Sequence, residues 1–235
     1  MQPGYNGSLF NEIILGAALL QTFHNKEMMK RMEKENRIWD IFVRVFHWSL
    51  VIFFSVAYIS GDDGSTIHVY SGYVVLGLIS ARVIWGLVGT KYARFSNFVC
   101  NKARVITYLK SLLTGKPEYY PGHNPAAGWM VIALIVSLFL TTLSGLQLYA
   151  VEQGLGPFAN NFPEVQIIST AIADSNEHGD SGGFWSGFWE AIHEAFANFT
   201  LLLVLIHISG VLLSSLLHRE NLIKAMITGN KREKH

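Results

Sequence analysis

The sequence predicts an all-α membrane protein: a bundle of four transmembrane helices with short interfacial helices at its ends. Three observations carry that expectation. Half of the 235 residues are hydrophobic and only 15% are charged, a membrane composition whose length fits one bundle of a few helices. Four stretches, 41–60, 67–89, 128–150 and 190–217, reach the roughly 20 apolar residues that a helix needs to cross a bilayer. All 18 Lys and Arg lie before His47, between Arg82 and Lys116, or from Arg219 onward, with none in Trp48–Ala81 or Pro117–His218.

Residues 1–36 form an N-terminal segment outside the bundle. Its apolar run Ile13–Phe23 is too short to span and is followed by Lys26, Lys30 and Arg31. It reads as an interfacial helix, or as sequence ahead of a start at Met28, Met29 or Met32. Charge after the apolar run is the reverse of a cleavable signal peptide. Residues 37–220 form the membrane domain. Its first span, 41–60, leaves the basic side, and the second, 67–89, returns after Asp62 and Asp63. Asn97–Thr114 mixes Val99, Val105, Ile106, Leu109 and Leu112 with Lys102, Arg104 and Lys110, the pattern of a helix lying on the membrane surface. The third span, 128–150, leads to a long loop, 151–189, carrying Glu152, Glu164, Asp174, Glu177 and Asp180. The fourth, 190–217, crosses back, with Glu190 and Glu194 at headgroup level. Residues 221–235 form a tail in which Asn221–Thr228 is a second surface helix. By the positive-inside rule both termini are cytoplasmic and the 151–189 loop is outside. Cys100 is the single cysteine, which excludes a disulfide framework, covalent haem attachment through Cys-x-x-Cys-His, and an iron–sulfur cluster held within this chain.

Ionisable residues inside membrane spans are costly and default to a functional role. Four histidines qualify: His47, His68, His193 and His207. The last two lie on one helix, where fourteen residues rise about 21 Å and return to within about 40° of the starting face. The direction of each span then pairs His68 with His193 at the outer level and His47 with His207 at the cytoplasmic level. A lone membrane histidine serves as readily in helix–helix hydrogen bonding. Four at two matched depths point instead to two stacked haems of the non-covalent b type, each between two imidazoles. Arg82, fourteen residues after His68, and Arg44, one turn before His47, are candidate partners for haem propionates; the other reading is snorkelling to lipid phosphates. Gly72 and Gly210 either let a porphyrin lie against the backbone or pack helices. Trp48, Trp85, Trp129, Trp185 and Trp189 fall near helix ends, as interface anchors do. His24, His218 and His235 are expected on the cytoplasmic side and His178 in the outer loop. His123, before Asn124 and Pro125, has the setting of a cap or turn.

These residues also carry a family resemblance. The run Arg37-Ile-Trp-Asp-Ile-Phe-Val-Arg-Val-Phe-His47-Trp48 resembles the start of the bacterial cytochrome b561 and nickel–iron hydrogenase cytochrome b superfamily. Further matches are Ile67-His68-Val-Tyr-Ser-Gly72, Arg82 with Trp85-Gly86-Leu-Val-Gly89-Thr-Lys-Tyr-Ala-Arg94, and Gly122-His-Asn-Pro125, together with the fourteen-residue histidine spacing. The resemblance covers Arg37 to Lys231. It implies a four-helix di-haem b cytochrome of the bacterial inner membrane that passes electrons between the quinone pool and a redox partner. Its implied ligands are the same four histidines. The Gly-rich, acidic segment Asp174–Trp189 does not resemble what hydrogenase cytochromes present to their large partner. The form resembled most is a stand-alone cytochrome b that meets small c-type cytochromes; the alternative is the membrane anchor and electron-transfer subunit of a hydrogenase or dehydrogenase.

Bis-histidine ligation leaves iron without an open position, which favours electron transfer over oxygen chemistry. The outer segments carry nine acids, from Asp62 to Glu194, and no Lys or Arg. They either steer a basic periplasmic cytochrome c or only enforce topology. A quinone site needs a proton donor or acceptor beside an apolar cleft; Glu190 and Glu194 qualify outside, His123 and Asp40 inside. The rival from another class is a histidine-based metal transporter holding zinc or copper. Against it, zinc usually takes four ligands, often with Cys or carboxylate, and each level here offers two histidines. Nothing in the sequence points to nucleic acid.

Overall fold

The computed structural model describes residues 7–35, 38–61, 65–114, 120, 122–159 and 181–230. The helices are α1 (Gly7–Glu35), α2 (Ile41–Ile59), α3 (Thr66–Val88), the single turn α4 (Phe95–Phe98), α5 (Lys102–Leu113), α6 (Pro125–Gln153), α7 (Ser181–His218) and α8 (Leu222–Thr228). Among the described residues four helices are long and apolar enough to cross a membrane: α2, α3, α6 and most of α7. Asp40, Trp85, Asn124 and the basic residues Arg44 and Arg82 lie at one end of this bundle, called inner below; the opposite end is called outer.

Side chains at the helix starts explain where each span begins. A helix leaves its first backbone N–H groups without partners, and an Asp, Ser or Asn just ahead of it can accept from one of them. Asp40 accepts from the Val43 N–H at 2.8 Å, Ser65 from the His68 N–H at 3.4 Å, and Asn124 from the Ala127 N–H at 2.8 Å, with Pro125 opening α6. At its far end α6 stops at Gly154, whose φ of 64° is a left-handed conformation that glycine adopts without strain.

Two helices run longer than their apolar stretches suggest. α6 extends from Pro125 to Gln153 rather than over 128–150, because Asn124 and Pro125 set the start and Gly154 the stop. α7 begins at Ser181 rather than about Glu190, taking the last part of the expected outer loop into the helix. Its 38 residues rise about 57 Å, well beyond the roughly 30 Å of a hydrocarbon core. The ring contacts Phe184–Trp185, Trp185–Phe188 and Phe188–Trp189 line this extension.

The spans close a ring in the order α2, α3, α6, α7. α6 packs along α7, α2 along α3, and α3 against α6. α7 returns to α2 where His207 meets His47 and Tyr58 donates to Asn198. A small apolar core fills the middle depth: Val75, Ile79 and Leu138 are buried, with Leu50, Phe53, Phe54 and Ile135 packed on them. This layer separates the outer half of the bundle from the inner half. Between α6 and α7 the buried Ser137 and Thr200 hydroxyls meet at 2.6 Å, and Thr141 joins them at 3.1 Å. Small hydroxyl residues of this kind let membrane helices approach closely and bond to one another.

The inner end is tied by long-range contacts. Asp40 Oδ2 accepts from the Trp85 indole N–H at 3.0 Å and from the Thr90 hydroxyl at 2.6 Å, which joins the start of α2 to the end of α3. The Ile38 and Trp39 N–H groups donate to the Gly229 carbonyl at 3.1 and 3.2 Å. Phe95 of α4 lies against Gly86, where a Cβ would collide with its ring. α5 packs on α6 and buries Tyr108, while Ile106 and Leu109 stay exposed beside Lys102 and Lys110.

Candidate functional site

The fold brings the four intramembrane histidines together in two pairs. At the outer level the rings of His68 on α3 and His193 on α7 have centres 5.8 Å apart and cross at 89°. At the inner level His47 on α2 and His207 on α7 have centres 6.5 Å apart, inclined at 56°. An imidazole–metal bond is about 2 Å long and the bonding nitrogen lies about 1 Å from its ring centre, so two rings sharing one ion have centres about 6 Å apart. Both separations fit that requirement. Among the described residues no group of three or more His, Cys, Asp or Glu is placed to hold a metal ion. Each level therefore offers two imidazoles, suited to a metal that brings its other ligands with it.

The outer pair is supported from behind. His68 Nδ1 lies 2.8 Å from the Ala57 carbonyl and His193 Nδ1 lies 2.9 Å from the Thr141 carbonyl, with the Ser144 hydroxyl at 3.3 Å. A carbonyl accepts only, so each Nδ1 carries the proton and each Nε2 is left as the free lone pair. Such a partner fixes the tautomer and the ring direction and raises the basicity of the other nitrogen. α6 makes room for the His193 ring at Gly145, where a Cβ would stand 2.8 Å from Cε1 and 3.1 Å from Nδ1.

Around this pair the four spans line an open cleft whose walls are mainly apolar atoms. His68, His193, Gly72, Tyr58, Tyr73 and Tyr149 are among its walls. A Cβ built on Gly72 would meet nothing within 4 Å, so a flat group has open space against that backbone. The observations fit a haem here: paired free nitrogens, an apolar cleft and an open glycine face.

The inner pair stands in different surroundings. His47 Nδ1 is buried with no hydrogen-bond partner, and no hydrogen bond holds the His207 ring among the described residues. Gly210, near His207, also faces open space. Arg82 is buried at 2% exposure; its Nη2 donates to the Ala93 carbonyl at 3.2 Å, its guanidinium lies 5.0 Å over the Phe95 ring, and its Nη1 has no partner. It also faces the charge of Asp40. Arg44 donates through Nη2 to the Ile227 carbonyl, one of the last carbonyls of α8, and so caps that helix; its Nε is buried without a partner. The sequence reading offered neither contact, since a backbone carbonyl partner carries no residue-type signal.

Asp40, offered as a quinone-side acid, is the knot of the inner end. Burial pushes its carboxyl up, but hydrogen bonds from Thr90, the Val43 N–H and Trp85, together with the Arg82 charge, outweigh that and hold it below the usual carboxylate range. His123, the other inner candidate, packs between Trp39 at 4.6 Å and Phe98 at 4.5 Å, while Asn124 does the capping. Glu190 and Glu194 are exposed on the outer part of α7. His24 is exposed on α1, and His218 Nδ1 lies 3.1 Å from the Ser214 carbonyl. His178, His235, Asp62, Asp63 and most of the acidic loop lie outside the described residues.

The family described as prokaryotic cytochrome b561 matches residues 38–229. The chain is similar to a Bradyrhizobium diazoefficiens protein named probable Ni/Fe-hydrogenase B-type cytochrome subunit, at 22% identity over 83% of this chain and 85% of that relative. No solved structure matches.

Proposed function

Because the chain belongs to the prokaryotic cytochrome b561 family, we propose that its histidine pairs hold two b haems, His47 with His207 at the inner level and His68 with His193 at the outer. The chain is a multi-pass membrane cytochrome of the b type that serves in electron transfer. The observation that carries the finer reading is the pairing itself, with ring centres 5.8 and 6.5 Å apart at two depths. A haem between two imidazoles supplies a one-electron carrier with no open coordination position. The protein's own part is to present the free imidazole nitrogens, to exclude water with the Val75–Ile79–Leu138 layer and to hold the rings in place.

Arg82, with its spare Nη1, is the propionate partner at the inner level. Arg44 contributes to the same level from the α8 cap, with its buried Nε. The basic end faces the cytoplasm and the acidic end the periplasm of a bacterial inner membrane, as the partition of Lys and Arg supports. The chain then links the quinone pool to a redox protein. A small c-type cytochrome fits the acidic outer segments; if they steer it, its reaction slows steeply with added salt, and a flat salt dependence removes steering. The hydrogenase-type relative favours a second reading, an electron-transfer subunit of a larger redox complex, and copurification of the native membrane protein separates the two.

The test is a reduced-minus-oxidised absorption spectrum of the detergent-purified chain with a pyridine haemochrome assay. The expected result is a low-spin α band and two b haems per chain. A protein without haem, isolated from cells supplied with haem precursors, overturns the reading.

A further inference from the structure

The two histidine pairs differ in their hydrogen bonds and in the charge around them, and both differences act in one direction. At the outer level each Nδ1 meets a backbone carbonyl, Ala57 for His68 and Thr141 for His193. Each ring is thereby made a stronger electron donor through its other nitrogen. A stronger donor stabilises the oxidised metal more than the reduced one. The inner rings lack this support, and His47 Nδ1 has no partner.

Charge adds to the contrast. Residues 48–81 and 117–218 contain no Lys or Arg, so no basic side chain belongs to the outer half. The carboxylates that a haem would bring there would find no Lys or Arg among the cleft walls, whose polar groups include the Tyr58, Tyr73 and Tyr149 hydroxyls. The inner level has Arg82 and Arg44. Uncompensated negative charge opposes the arrival of an electron, and a buried guanidinium favours it; both effects are strong where the dielectric is low. Axial-ligand hydrogen bonding and local charge are among the levers by which a protein sets a haem potential.

We infer that the two haems are unequal carriers, the outer one, between His68 and His193, having the lower midpoint potential. Ala57 and Thr141 act through their carbonyls as positioning groups, and the cation-free outer half adds to their effect. The inference rests on the di-haem reading. At equilibrium an electron shared by the two sites resides at the inner one, so the gradient within the chain runs from the acidic end to the basic end. That direction suits a reductant at the outer face and an acceptor at the inner.

The experiment is a potentiometric titration, followed by visible absorption, of the detergent-purified full chain carrying both haems. Two one-electron waves are expected. His47→Ala should keep the lower wave and His193→Ala the higher. The opposite assignment, or one unresolved wave for both haems, overturns the inference. Should either histidine variant fail to fold, Leu155→Lys serves: Leu155 is 54% exposed, and the next residue, Gly156, lies against Tyr73 and Tyr149 at the cleft mouth. A cation there should raise the lower wave at low salt and leave the higher in place; movement of the higher wave, or of neither, contradicts the inference. A haem count other than two per chain fails the di-haem reading itself, a result distinct from any ordering of potentials.

Discussion

At the outer level both imidazoles lean on backbone carbonyls and His193 nests against a glycine, whereas at the inner level His47 Nδ1 is unpartnered and the nearby polar groups are two arginines engaged with loop and helix-end carbonyls. The outer site is shaped by the protein before anything binds. The inner site is shaped by what ties the ends of the bundle together, and among the described residues no hydrogen bond holds its rings. Similar ring separations therefore arise from two kinds of support, which substitutions can tell apart.

The largest effect is expected at Gly145. A Cβ there stands 2.8 Å from the His193 ring, and a valine adds two further methyl groups. Gly145→Val should remove the outer haem and spare the inner, read as half the wild-type haem content in a haemochrome assay. Gly77→Ala is the control, because Gly77 is exposed on α3 and a Cβ there meets nothing within 4 Å, and it should retain full haem content. Equal losses from both substitutions would mean that the outer site does not depend on the space Gly145 leaves for the His193 ring.

A smaller effect is expected at Asp40, which holds the inner end without touching a histidine. Asp40→Asn removes a charged acceptor shared by Trp85 and Thr90, at a cost on the order of 1 kcal/mol for a half-buried group partly screened by solvent. Thermal unfolding should show it with both haems retained. The pH dependence has a definite sign. The Asp40 carboxyl is held below its ordinary value in the folded protein, so its stabilisation is complete above the unfolded pKa of about 4 and fades as pH falls through the lowered folded value. The melting difference between wild type and Asp40→Asn should therefore shrink on acidification. A difference that grows would mean that the carboxylate is strained rather than held.

The smallest effect is expected at Thr200, between the two levels. Thr200→Val leaves the Ser137 hydroxyl without its 2.6 Å partner, and membrane hydrogen bonds of this kind average about 0.6 kcal/mol. A slight drop in melting temperature with unchanged haem spectra is the expected outcome. A spectral change at the outer site would show that this chain also positions Thr141.

Much of the architecture was legible because it depends on counting. The separation of Lys and Arg from acids, the four apolar stretches and the fourteen residues between His193 and His207 are properties of spacing, and the structure pairs those histidines at two depths. The start of α7 was not legible in that way. Ser181-Gly-Gly-Phe-Trp-Ser-Gly187 reads as loop because glycine costs a helix about 1 kcal/mol. The spacing of Phe184, Trp185, Phe188 and Trp189, which continues the helical period back to Ser181, was the signal available. Backbone partners such as the Ala57 and Thr141 carbonyls carry no residue-type signal. Gly145 lies on a different helix from His193, and only the packing of α6 on α7 sets their register. Arg44 and Asp40 took structural roles through contacts with Ile227, Trp85 and Thr90 that no local pattern announces.

The most direct test of the account is haem stoichiometry in the paired variants His47→Ala and His193→Ala, purified beside wild type and assayed as pyridine haemochrome with a low-spin spectrum of what remains. Two independent sites predict two haems in wild type and one, still low-spin, in each single variant. One haem in wild type, or loss of all haem from both variants although each remains folded by circular dichroism, would contradict the assignment of one haem to each histidine pair.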